Sequence, residues 1–237
     1  MQAVSELAED WTAPWNGKFF PKGSKLILTS LIEIRKNKQV GLPIPNAAAS
    51  CLNISKRCWD EAREIRKKSK IDSSIKKTVS FSSDEEAIDY LELMMQSVVF
   101  AFTALEAFVN EMIPDDYVYE KQGRKCDESY KKKDIERWLT IDEKYGKVLP
   151  EVLAIESPKG KHRSWSDLQK LKKVRDRLIH MKSDDRKSSG PELETIWSEL
   201  VTAEPPYKES FAIISYFISK TEVRPRWYKE GKSLLNK

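Results

Sequence analysis

At 237 residues, 40% of them hydrophobic and 33% charged, the chain can bury a real core under a water-facing surface, and its net charge of +5 permits a polyanionic partner without demanding one. Three cysteines (Cys51, Cys58, Cys126) without C-x-x-C spacing indicate neither a disulfide framework nor a zinc site, and a reducing, cytoplasmic home fits them. Glu6 stands where a secretory signal would need a basic and then an apolar region.

Residues 1–44 place Trp11, Trp15, Phe19 and Phe20 among Pro14, Gly17, Pro21 and Gly23, which reads as an irregular arm whose aromatic anchors pack onto the protein's own core. Lys25 to Ile34 fits a strand or a short helix equally well. Pro43 and Pro45 open a helix from about Asn46 to Lys68, basic in its second half. Residues 71–82 form a Ser/Lys-rich connector, with room for a short strand at Thr78–Phe81. Together, residues 1–80 read as an N-terminal, mostly helical extension.

Ser83 and Glu86 make a capping-box pattern, and the helix they start runs to Ile113 and stops at Pro114. Unbroken, it is about 45 Å long, which in a small domain calls for a bundle around it. A polar stripe of Asp89, Glu92, Gln96, Thr103, Glu106 and Asn110 crosses its apolar surface. Carboxylates and amides inside the apolar stretch argue against a membrane span. Residues 115–130 read as a polar loop, Asp134 to Tyr145 as a short helix, and Lys159 to Arg163 as part of a basic loop. Ser164 and Asp167 offer another cap, before a helix from about Ser166 to Met181 with Leu168, Leu171, Val174 and Leu178 as its buried stripe. Between 159 and 187 there are eleven Lys/Arg against four acids. Further helices are expected over Glu192–Val201 and Tyr207–Thr221, followed by a basic tail over 223–237.

That basic helix ends in Lys173-Val174-Arg175-Asp176-Arg177-Leu178-Ile179-His180. Arginine offers phosphate oxygens a planar fork of donors, and histidine titrates near neutrality, so it can both take and give protons. Arg175 is thus the candidate phosphate clamp and His180 the proton-transfer group. Asp176, Arg177, Glu106 and Asn110 are the candidates for orienting them or binding substrate. Neither His162 nor His180 has paired-ligand spacing, and no D-x-D or H-x-x-E pattern occurs, so no metal and no other cofactor is expected. On an ideal helix, Arg175 and His180 lie about 140° apart and do not share a face. Two copies meeting across a two-fold axis would gather two of each around one phosphate.

A long helix carrying Ala104-Leu105-Glu106-Ala107-Phe108-Val109-Asn110, followed some way on by Arg175-Asp176-x-x-x-His180, resembles the HEPN superfamily (higher eukaryotes and prokaryotes nucleotide-binding). Its motif is Arg-x4–6-His with a polar residue after the arginine. The resemblance covers roughly residues 84–222. It implies an all-α, up-and-down helical bundle that pairs as a homodimer with a composite active site. It also implies a metal-independent endoribonuclease that leaves 2′,3′-cyclic phosphate ends on RNA and serves as a toxin or phage-defence effector, with an antitoxin or defence partner protein. Other members have lost catalysis, so the alternative expectation is an inactive scaffold that binds nucleotide or protein.

Overall fold

The computed structural model describes residues 5–7, 9–122, 127–187, 190–221, 225, 227–229 and 231. Its organising element is α2 (Asp84–Met112). The side chain of Ser83 accepts the Glu86 N–H at 3.2 Å, and Asp84, Glu85 and Glu86 lie in the first turn, where the helix dipole favours acids. Phe102, Phe108, Leu105 and Met94 are fully buried along α2. Each such side chain removed from water contributes roughly 1.5–3 kcal/mol.

Helix α1 (Ala47–Lys68) lies lengthwise against α2. Asn46 caps it by accepting the Ala49 N–H at 2.9 Å. Its buried face is mostly small (Ala48, Ala49, Ser55, Cys58, Ala62), so the two backbones come close enough for Ser55 Oγ to donate to the Ser97 carbonyl at 2.7 Å and Ser97 Oγ to the Ser55 carbonyl at 2.9 Å. The other side of α2 is covered by α6 (Arg163–Ile179), α7 (Ile196–Val201) and α8 (Pro206–Ile218). Ser210 Oγ on α8 donates to the Ala101 carbonyl at 2.9 Å, and buried Tyr145 donates to the Leu105 carbonyl at 2.9 Å, so neighbours from two directions pin the middle of α2. By length and composition alone α2 could cross a membrane, but half of its most apolar window is buried in this bundle, as suits the core helix of a soluble protein.

The expectation of an all-α fold is corrected. The chain is mixed α/β, about 53% helical and 13% strand. Among the described residues, four antiparallel pairs account for the strands: β1 (Ser5–Glu6) with β4 (Lys25–Leu26), β2 (Trp11–Thr12) with β3 (Phe19–Phe20), β5 (Thr29–Arg35) with β6 (Lys38–Pro43), and β7 (Val118–Lys121) with β8 (Glu128–Lys131). Three pairs lie in the N-terminal arm, where a strand is one of two sequence readings only for Lys25 to Ile34, and the fourth in the expected polar loop. Asn37, at φ +63°, makes the tight turn between β5 and β6, a backbone shape asparagine tolerates better than most residues. The arm's aromatics pack on one another, Trp11 against Trp15 and Phe20, with Ala13 buried among them and Trp15 74% exposed. No strand forms over 78–81.

After β8, α3 (Lys132–Trp138) leads to α4 (Ile141–Glu143), a π-helical turn (Lys144–Val148) and α5 (Leu149–Val152). Gly146 within the π turn lies against the indole of Trp165 on α6, where a Cβ would come within 3.2 Å of the ring. That approach sets the π turn between α6 and α2.

Candidate active site

Arg175 and His180 both belong to the last part of α6. Leu168, Leu171 and Leu178 are buried, and Val174 is half-buried, so the stripe seats α6 on α2 and turns Arg175 toward the polar stripe of that helix. Helix α6 starts earlier than its sequence signals imply. His162 caps it, its Nδ1 accepting the Ser164 N–H at 3.1 Å, and the imidazole stacks on Tyr216 with ring centres 4.2 Å apart.

The Arg175 guanidinium, 22% exposed, donates to Asp176 Oδ1 at 2.8 Å and to Glu106 Oε1 at 3.1 Å. It also sits over the buried ring of Phe102, 3.9 Å from the ring centre, where the ring's electron density attracts the cation. A guanidinium carries more N–H donors than these two bonds use, so donors remain for a phosphate oxygen. Phe102, Glu106 and Asn110 are spaced by four on α2 and therefore share one face. Asn110 does not bond Arg175. Its Oδ1 accepts from Lys144 Nζ at 3.0 Å.

His180 is the C-terminal cap of α6: its backbone N–H donates to the Asp176 carbonyl at 2.9 Å, and its exposed ring bonds none of the described residues. Ile179 beside it is also exposed, an apolar residue at the mouth of the motif. The cavities at the α1–α2, α6–α7 and π-turn surfaces are lined by residues other than Arg175 and His180.

Arg177 is held elsewhere. It donates to Asp185 Oδ1 at 2.9 Å, Glu199 Oε1 at 2.9 Å and the Glu194 carbonyl at 2.7 Å. Asp185 has no exposed side-chain surface and also accepts the Ile196 N–H at 2.7 Å and the Lys182 N–H at 3.0 Å. These donors, first the Ile196 N–H and then Arg177, hold its pKa below the usual carboxylate value. The cluster ties the 3-10 turn Asp184–Arg186 to α7 and fixes the chain just after His180.

The basic excess of 159–187 is largely neutralised within the chain. Lys170 pairs with Glu209, Lys172 with Asp142, Lys173 with Glu199, Arg163 with Asp167, Lys161 with Glu156 and Lys187 with Asp184. Sequence counting missed this because most of the acids come from other elements.

Sequence reasoning also missed Lys144. It is 5% exposed, and its Nζ donates to Asn110 Oδ1 and, at 2.9 Å, to the Glu136 carbonyl. Burial holds its pKa below the usual lysine value, an effect that the carboxylates of Glu106 and Glu136 only partly offset. Within Asp142-Glu143-Lys144-Tyr145 it reads as a surface lysine, and the π turn that carries it inward has no signature in residue type.

Among the described residues no group of three or more His, Cys, Asp or Glu side chains converges as a metal site would require. Comparisons with family models, curated proteins and solved structures found no match to this chain.

Proposed function

We propose that the chain is a metal-independent endoribonuclease of HEPN type, acting in the cytoplasm as a homodimer, in growth arrest or phage defence. The observation that carries it is the state of Arg175. The guanidinium is braced by Asp176, Glu106 and the Phe102 ring, keeps donors free, and lies on the same helix end as an exposed His180. The open surface around the pair suits a cleft closed by a second copy. In such a cleft one histidine takes the proton of the RNA 2′-hydroxyl, whose oxygen attacks the neighbouring phosphorus. The bond to the 5′-oxygen breaks, and the second histidine protonates that leaving oxygen. Both Arg175 side chains stabilise charge on the phosphorane oxygens. The products are a 2′,3′-cyclic phosphate and a 5′-hydroxyl. The nucleophile belongs to the substrate, so the chain has to supply proton transfer and positive charge.

One observation favours a second reading. With so many cations of 159–187 in internal ion pairs, the electrostatic pull on an RNA backbone is smaller than the sequence suggests. A catalytically inactive scaffold that binds nucleotide or a partner protein would have this property. Induced expression in growing bacteria separates the two. The nuclease reading expects RNA breakdown and arrest with the wild type, and neither with Arg175→Ala or His180→Ala at equal protein levels. Intact RNA in cells holding abundant folded wild type would favour the scaffold.

A further inference from the structure

One face of α2 is covered at two points by cations from different elements. Arg175 of α6 lies over Phe102 and bonds Glu106, and one turn further on Lys144 of the π turn bonds Asn110. Lys144 has only donors, so the Asn110 atom facing it must be the carbonyl oxygen Oδ1. The amide cannot flip without setting its NH2 group against a buried ammonium. Its Nδ2 is therefore turned away from Lys144 and bonds none of the described residues. The Glu136 carbonyl, from the last turn of α3, holds the ammonium from another side, so Lys144 cannot follow Asn110 if the amide rotates.

We propose that Lys144 is a positioning residue: by donating to Asn110 Oδ1 it aims the Asn110 Nδ2 donors at a phosphate oxygen of an RNA strand held beside Arg175. The inference rests on the nuclease reading of that site and adds a second phosphate donor and the residue that orients it. Asn110 touches substrate, and Lys144 acts through Asn110. The pair supplies positive and dipolar character one turn along the same face of α2 from the cation that α6 brings.

The test measures binding of a 2′-O-methyl oligoribonucleotide, which cannot be cleaved, to the full chain. The forms compared are wild type, Asn110→Ala, Lys144→Met and the double variant, with cleavage of unmodified RNA followed in parallel. Each single substitution is expected to weaken binding about tenfold, as loss of one hydrogen bond to a charged group does. The double variant is expected to bind no more weakly than Asn110→Ala. The side-chain amide signals of Asn110 in a nitrogen-15 spectrum should shift on oligonucleotide addition in the wild type and stay still in Lys144→Met. Where Lys144→Met fails to fold, Asn110→Asp decides. A carboxylate there still accepts from Lys144 but has no N–H to offer, and it should bind as poorly as Asn110→Ala. Losses that multiply in the double variant, or wild-type binding by Asn110→Asp or Asn110→Ala, would overturn the proposal while leaving the nuclease reading standing. A folded wild type that neither binds nor cleaves would overturn both.

Discussion

Arg175 and Glu106 form a 3.1 Å hydrogen-bonded ion pair that joins the last turns of α6 to the C-terminal part of α2. Glu106 is 45% exposed, so water screens the pair and its share of folding stability is about 0–1 kcal/mol. Its larger effect is geometric: it fixes where the guanidinium points. Glu106→Gln keeps an acceptor and removes the charge. Urea unfolding should move by under about 1 kcal/mol, while RNA binding or cleavage changes several-fold. Unchanged function in a folded Glu106→Gln protein would show that Arg175 needs no such anchor.

The cap of α6 gives a stability prediction. His162 supplies both the Nδ1 acceptor for the Ser164 N–H and a stacking partner for Tyr216. Losing a cap and a ring contact costs about 1–2 kcal/mol, so His162→Ala should lower the denaturation midpoint by that amount. His162→Asn restores a capping oxygen and should recover part of the loss. A His162→Ala midpoint equal to wild type would show that the cap does not hold α6 in solution.

Asp185 gives the pH dependence. Its pKa is held below the ordinary value, first by the Ile196 N–H and then by Arg177, so at acid pH the unfolded chain binds a proton that the folded chain refuses. The stabilisation is therefore complete above the unfolded aspartate value of about 4, and is lost as pH falls through it toward the lower folded value. Denaturation midpoints measured down the acid range should fall for the wild type. Asp185→Asn should start from lower stability and show a shallower fall over the same range. Equal acid slopes in the two proteins would remove Asp185 from this role.

Helical periodicity made part of the site legible. The buried leucines of α6 and the start of α2 at Ser83 with its stop before Pro114 follow from patterning and capping. Arg175 and Arg177 look alike in sequence. They differ because two positions along a helix turn the side chain through about 200°, which hands Arg177 to Asp185 from beyond the helix end. Nothing local reports that partner. A strand over Lys25 to Ile34 is one of two readings the sequence leaves open, and β4 and β5 fall there. The other strands were missed because most are two to four residues long, and β5–β6 turns on Lys36-Asn37 rather than Asn-Gly or Asp-Gly, so that only the asparagine hints at a left-handed residue. Lys144 was hidden because a π turn inserts a residue into the 3.6-residue period and faces inward a position that the pattern assigns to solvent.

The most direct test of the central claim is incubation of total cellular RNA in EDTA with purified wild type, Arg175→Ala and His180→Ala, followed by analysis of the fragment ends. The account predicts that the wild type cuts without added metal, leaves 2′,3′-cyclic phosphate and 5′-hydroxyl ends, and that both variants are folded and inactive. Cutting that survives either substitution, or no cutting by a folded wild-type dimer, would contradict it and point to the inactive scaffold.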